Sequence, residues 1–148
     1  MCNGVSSPET GGAGLIRAPG AGRDGALQDT LRGLRILVVE DESLVATDVE
    51  RVLSGLGAEV VGPVGHLGDA QKLGRQEPLH GAILDVDLAG EVVYPLAEEL
   101  ARRKVPMILA TGIDVSGVPR EYECLPNLQK PFDDRALQSM VEQVFRRA

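Results

Sequence analysis

The chain has 148 residues, 43% hydrophobic and 25% charged, with a formal net charge of −7 and a pI near 4.8. That length suits one domain with a full core and is short for two, and the acidic balance, without a basic stripe, excludes a nucleic-acid surface from the expectations. No apolar run approaches the roughly 18 residues of a membrane span. Residues 1–33 lack the apolar segment of a signal peptide, so a cytoplasmic protein is expected. Cys2 and Cys124 fit neither a disulfide framework nor a zinc spacing and read as reduced thiols. His66 and His80 stand apart, without the neighbours of a metal motif.

Residues 1–33 hold eight of the eighteen glycines together with Pro8 and Pro19. This is the composition of a flexible N-terminal extension, with one helical turn near residues 26–32. From 34 to 148 the texture is that of a folded domain. Residues 34–39 form a β-branched apolar strand stopped by Glu40, Asp41 and Glu42. Ser43 suits a helix N-cap; Val45, Val49, Val52, Leu53 and Leu56 recur at helical spacing, and Gly57 ends the helix. Residues 58–61 make a short second strand closed by Gly62-Pro63. A weaker helix over 67–75 stops before Pro78, and an apolar strand then runs from Leu79 to Asp85, where carboxylates begin. After Gly90 regular helix starts near Tyr94, with Pro95 in its first turn and Leu96, Leu100 and Ala101 toward a sheet. Residues 105–110 are a fourth strand closing on Thr111-Gly112. Residues 113–126, with Gly117, Pro119 and Pro126, offer a turn or two of helix. Residues 127–129 are a fifth strand before Lys130-Pro131, and Asp133 or Asp134 opens a last helix with Leu137, Met140, Val141, Val144 and Phe145 on one face. Strands alternating with helices specify an α/β parallel sheet covered on both faces.

In such a sheet, ligands bind beyond the carboxyl ends of the strands. Glu40, Asp41, Asp85, Thr111 and Lys130 end successive strands and would converge there. Singly, each has a plain structural use: Asp41 at a helix N-terminus, Asp85 or Thr111 in a turn, Lys130 on the surface. As a set they carry chemistry. Clustered carboxylates raise one another's pKa unless a cation joins them, and oxygen donors without His or Cys favour Mg²⁺ or Mn²⁺ over zinc. Thr111 adds a hydroxyl and Lys130 a point charge, both suited to phosphoryl oxygens. Carboxylate nucleophile, metal, hydroxyl and ammonium are the parts needed to move a phosphoryl group onto an aspartate.

The segments Leu-Val-Val-Glu40-Asp41-Glu, Ile-Leu-Asp85-Val-Asp-Leu, Leu-Ala-Thr111-Gly and Gln-Lys130-Pro-Phe, in this order, closely resemble the CheY-like receiver domain of two-component response regulators over 34–148. The resemblance implies a flavodoxin-like (βα)5 doubly wound sheet of strand order 2-1-3-4-5, in which the Gly- and Pro-rich residues 113–126 of this chain would supply only a short or disordered fourth helix. It implies that Asp85 accepts the phosphoryl group, that Asp41 binds Mg²⁺ directly and Glu40 through water, and that Asp85 and the backbone carbonyl of Asp87 complete the metal site. Thr111 would bind a phosphoryl oxygen, Lys130 would pair with Asp85 or its phosphate, and the Lys130-Pro131 bond would be cis. Such a protein is not a classical enzyme; it is a phospho-acceptor that catalyses its own phosphoryl transfer and dephosphorylation. Its donor would be the phosphohistidine of a sensor histidine kinase or phosphotransfer protein, docked at the first turn of the first helix and the mouth of the crevice.

Residues 105–113 (Val-Pro-Met-Ile-Leu-Ala-Thr-Gly-Ile) and 128–132 (Leu-Gln-Lys-Pro-Phe) look like stand-alone receivers whose fourth strand reads Pro-Phe-x-Phe-Ala-Thr-Gly-Tyr. These are often found with bacterial kinases of the HWE or HisKA2 type. Met107, Leu109 and Ile113 depart from that motif, where aromatics are usual. Asn127 stands where most receivers carry Tyr or Phe, so an aromatic rotamer switch cannot work there, and residues 113–126 are expected to change order on phosphorylation instead. Eighteen residues follow Lys130, enough for the last helix, so a single-domain regulator is expected that acts through a partner or as a phosphate sink. Three other readings compete. A haloacid-dehalogenase-type phosphatase would use Asp85-Val-Asp87 as its acidic pair, but the chain order of the remaining acids is wrong for it. A nucleotide-binding flavodoxin-like protein would not place Glu-Asp-Glu after its first strand. A pseudo-receiver would dock partners without phosphorylation.

Overall fold

The computed structural model describes residues 30–88, 91–112 and 119–146. The elements are β1 (Arg35–Val39), α1 (Ser43–Gly55), β2 (Glu59–Val64), α2 (Leu67–Gln76), β3 (Gly81–Asp85), α3 (Tyr94–Arg102), β4 (Met107–Thr111), a 3-10 turn (Arg120–Tyr122), β5 (Asn127–Gln129) and α4 (Asp134–Phe145). The five strands are all parallel in the order 2-1-3-4-5, the flavodoxin-like arrangement. The chain moves outward from β1 to β2, then crosses back to place β3 on the other side of β1. The crevice at the carboxyl ends of β1 and β3 is therefore the topological switch point.

The period of two within each strand sorts the apolar residues between two cores. Leu37, Val39, Ala82, Leu84 and Leu109 point to one face, where Ala70 of α2 and Leu96, Ala97 and Leu100 of α3 cover them. Ile36, Val38, Ile83, Ile108 and Leu128 point to the other, under Val49, Val52 and Leu53 of α1 and Leu137, Val141 and Phe145 of α4. β1 and β3 are buried on both faces, which is why they read as unbroken apolar runs. Each fully buried leucine, Leu96 and Leu100 among them, contributes about 2 kcal/mol through apolar area removed from water.

Local chemistry fixes the joints. α1 ends where Gly57 adopts φ +94°. The Ala58 N–H donates to the Leu53 carbonyl at 3.0 Å and the Gly57 N–H to that of Ser54 at 3.0 Å, the paired bonds of a Schellman cap. The helix start differs from the sequence reading: the N-cap is Glu42, in extended conformation, and Ser43 is already helical. The second strand also runs further than 58–61. It continues through Gly62-Pro63, where Gly62 at φ +100° shifts the register against β1 between Leu37 and Val39. An edge strand tolerates proline at such an irregularity, since the missing N–H is not needed by a second neighbour.

The expected weak fourth helix is, among the described residues, only the 3-10 turn Arg120–Tyr122, while residues 113–118 lie outside the described residues. Of the expected N-terminal extension, residues 1–29 also lie outside, whereas Thr30–Gly33 form a turn whose Leu31 is fully buried against the α1–α4 side. Cys124 is disulfide-bonded, which corrects its reading as a reduced thiol; Cys2 lies outside the described residues. Separation along the chain carries no information about proximity after folding. Among the described residues no helix is long and apolar enough to cross a membrane.

Candidate functional site

β1 delivers Glu40 and Asp41 to the switch point, and the neighbouring loop holds them there. The Glu40 N–H donates to the Val64 carbonyl at 2.9 Å, so β2 supports the acidic turn from one side. A Cβ on Gly65 would stand 3.3 Å from the Asp41 Cα, a close approach that a residue without a side chain permits. β3 ends in Asp85, and the next N–H, of Val86, donates to the Ala110 carbonyl at 3.1 Å. Beyond it, Asp87–Leu88 and Glu91–Val92 pair as a two-stranded antiparallel ribbon that the sequence reading did not anticipate. Ala-Gly between Leu88 and Glu91 was the available signal.

Oxygens of Glu40, Asp41 and Asp85 lie within 4.8 Å of one another. Glu40 and Asp85 are buried and Asp41 is exposed. Lys130, at the end of β5, reaches into this group: its Nζ stands 3.0 Å from Glu40 Oε2, 3.2 Å from Asp85 Oδ2 and 3.4 Å from Glu42 Oε1. The Lys130 N–H donates to the Thr111 carbonyl at 2.7 Å, tying the lysine to the end of β4. The Lys130-Pro131 bond is cis, as expected. Burial pulls the Lys130 ammonium down, but the hydrogen bonds and charges of Glu40 and Asp85 outweigh it and raise its pKa above the ordinary lysine value. The lysine is therefore a fixed positive charge at neutral pH.

Thr111 is buried, and its hydroxyl donates to Asn127 Oδ1 at 2.8 Å. Beside Lys130 a depression of about 540 Å³ opens between the first turn of α1 and the β5–α4 connection, lined by Glu42, Val45, Asp48, Gly112, Pro131 and Phe132.

The structure thus brings together Glu40, Asp41, Asp85 and Lys130 in direct proximity, with Thr111 at the adjacent strand end. Asp87 follows in the ribbon, with its backbone described and its side chain outside the described residues. Two contributors had no role in the sequence reading. Glu42 lends a third carboxylate to Lys130 and donates its N–H to Glu40 Oε2 at 3.1 Å; its position beside Glu40-Asp41 was the only signal. Asn127 was singled out as a departure, and its bond to Thr111 became visible only in three dimensions.

The donor set suits a hard divalent cation: every ligand is an oxygen, and neither His nor Cys is present in the cluster. Glu40, Asp41, Glu42 and Asp85 against the single Lys130 ammonium leave the crevice with a formal charge of −3, which favours a divalent cation.

Fold and site together define an α/β protein with an acidic crevice at its switch point, closed by one lysine. No protein-family model matches the chain. The chain is similar to SdrG from Sphingomonas melonis Fr1, at 36% identity over 76% of this chain and 94% of that one, with a TM-score of 0.67. It is 30% identical over 115 residues to the sensory transduction protein LytT of Bacillus subtilis, covering 74% of this chain and 47% of LytT. It also matches the receiver domain of the sensor histidine kinase PA1611 from Pseudomonas aeruginosa, whose structure has a magnesium ion coordinated in the active-site cleft. That likeness is at 25% identity, with a TM-score of 0.64, over 75% of this chain and 97% of the domain. The chain spans less than half the length of the curated relatives it matches, 47% and 42%. It belongs to the response regulator receiver family of two-component signalling. Membership, with the 2-1-3-4-5 strand order, sets aside the haloacid-dehalogenase reading.

Proposed function

We propose that this chain is a working receiver in which Asp85 accepts a phosphoryl group from the phosphohistidine of a histidine kinase or phosphotransfer protein, with Mg²⁺ as cofactor. The supporting observation is the convergence of Glu40, Asp41 and Asp85 within 4.8 Å around a lysine that contacts Glu40 and Asp85. A carboxylate oxygen of Asp85 attacks the phosphorus; the P–N bond breaks, and its electron pair stays on the imidazole nitrogen, which takes a proton. The product is an acyl phosphate on Asp85. Asp41, Asp85 and the Asp87 carbonyl would hold Mg²⁺, with Glu40 acting through water. The chemistry the ion supplies when bound is neutralisation of charge on the phosphoryl oxygens. Lys130 screens the buried carboxylate before transfer and the phosphoryl oxygens after it. The Thr111 hydroxyl donates to one phosphoryl oxygen.

The donor docks at the first turn of α1 and the mouth of the crevice. Leu44 there is 81% exposed, and the depression beside Lys130 offers Val45 and Phe132 to an apolar partner. The protein acts in the cytoplasm as a stand-alone regulator, through a downstream protein or as a phosphate sink, with kinases of the HWE or HisKA2 type as the donors to try first.

Intact mass after incubation with acetyl phosphate tests the reading. A single phosphoryl adduct that requires Mg²⁺ and disappears in Asp85→Asn is expected. A native chain that takes no adduct from acetyl phosphate or from any phosphorylated kinase of these types is a pseudo-receiver, and the reading fails.

A further inference from the structure

Asn127 is exposed at the start of β5, yet its side chain is engaged by the buried hydroxyl of Thr111 at 2.8 Å. The two residues are not in register: Leu109 faces Asn127 and Thr111 faces Gln129, so the bond runs diagonally across the β4–β5 pair. An exposed amide can satisfy itself with water. The Thr111 hydroxyl, only 3% exposed, needs a protein acceptor, so the bond serves the threonine. A hydroxyl carries one proton, and it cannot be given to Asn127 Oδ1 and to a phosphoryl oxygen on Asp85 at the same time.

We propose that Asn127 is a positioning residue, a latch whose amide oxygen holds the Thr111 proton in the resting chain and yields it when Asp85 is phosphorylated. This rests on the phospho-acceptor reading given above and adds to it the element that opposes phosphorylation. Once Thr111 turns to the phosphate, its oxygen lone pairs remain available, and rotation of the Asn127 amide by half a turn offers them its Nδ2–H. The state of a buried site is thereby written onto an exposed side chain of the edge strand β5. The mechanism needs no aromatic ring at this position.

Phosphorylation by acetyl phosphate at fixed Mg²⁺ tests it, followed by intact mass for the native chain, Asn127→Ala, Asn127→Leu, Thr111→Val and the doubles. Asn127→Leu preserves side-chain size and strand propensity, and thermal melting of each variant separates loss of fold from loss of latch. Both Asn127 variants are expected to phosphorylate about three- to tenfold faster than native, the factor that one neutral hydrogen bond corresponds to. In the Thr111→Val background, which has no hydroxyl to release, the same changes are expected to have no effect. Folded Asn127 variants that phosphorylate at the native rate or more slowly overturn the latch, as does an acceleration that persists without the Thr111 hydroxyl. A native chain that takes no adduct from any donor overturns the phospho-acceptor reading and the latch with it; an active native chain with indifferent Asn127 variants overturns the latch alone.

Discussion

Tyr94 and Tyr122 stack at 4.9 Å with their planes 12° apart, joining α3 to the 3-10 turn. Burial pushes both phenols above their ordinary pKa, with Tyr122 adding to the effect on Tyr94, and Glu98 and Glu121 adding to that on Tyr122. The Tyr122 hydroxyl donates to the Tyr94 carbonyl at 3.4 Å, whereas the buried Tyr94 Oη has no partner among the described residues. A buried hydroxyl without a partner carries its desolvation cost uncompensated. Tyr94→Phe keeps the ring stack and removes that cost. Urea unfolding of the variant is expected to show stability unchanged or raised by up to about 1 kcal/mol; a clear loss would mean that the hydroxyl is bonded. Lys130 is the opposite case. Its three donors all meet carboxylates, so the ammonium is paired before any ligand arrives, while the crevice as a whole keeps an excess of negative charge.

At the level of elements, α4 docks over β3 through a space that only glycine leaves open. A Cβ on Gly81 would lie 2.6 Å from two carbons of the Phe145 ring and 3.0 Å from Ile36 Cδ1. Phe145 is buried and cannot swing away, so Gly81→Ala is expected to cost about 1–3 kcal/mol in urea unfolding, the usual penalty for overfilling a packed site. Asp133 caps α4 by accepting from the Ala136 N–H at 2.8 Å, as its position before the helix suggested. α3 ends without glycine: Lys104 itself takes φ 61°, and the Val105 N–H closes on the Leu100 carbonyl at 3.0 Å.

On the outer surface Arg51 of α1 bonds both oxygens of Asp134 in α4, at 2.9 and 3.1 Å. The Arg51 hydrogen bond holds the Asp134 carboxyl below its ordinary value. A carboxyl with a lowered folded pKa stabilises the fold above its unfolded value and loses that contribution as pH falls through the folded one. Thermal melting from pH 6 downward is therefore expected to decline less in Asp134→Asn than in the native chain below about pH 3.8. The pair is exposed, so the difference will be small and reduced by salt.

For the whole molecule, the sheet presents its acids at one edge and gathers its apolar residues in two cores away from it. Charge and packing are thus separated, so a cation entering or leaving the crevice would not disturb the cores. A ligand that binds only the folded state stabilises it by mass action. Mg²⁺ at tenfold excess over its Kd is expected to add about 1.4 kcal/mol and to raise the melting temperature relative to EDTA. Asp41→Asn should abolish that increment while leaving the EDTA melting temperature close to native, since Asp41 is exposed and outside both cores. An increment that survives in Asp41→Asn would place the ion elsewhere.

The sequence by itself determined the alternation of elements, because apolar period is a local property: β1, β3 and β4 as unbroken runs, α1 and α4 as amphipathic stretches with recognisable ends. It also determined the candidate set, since a parallel sheet obliges Glu40, Asp41, Asp85, Thr111 and Lys130 to share one edge. Boundaries that depend on neighbours were less legible. β2 runs on through Gly62-Pro63 because β1 lies beside it, and the extended Glu42, not Ser43, is the residue that precedes α1. Only the tertiary structure decided which cation serves which acid, that Cys124 is bonded, and that Thr111 gives its proton to Asn127. These partners lie far apart in sequence, Thr111 and Asn127 being 16 positions apart and Glu40 and Lys130 90. Their meeting depends on strand register and crossover geometry, which no local pattern of residues encodes.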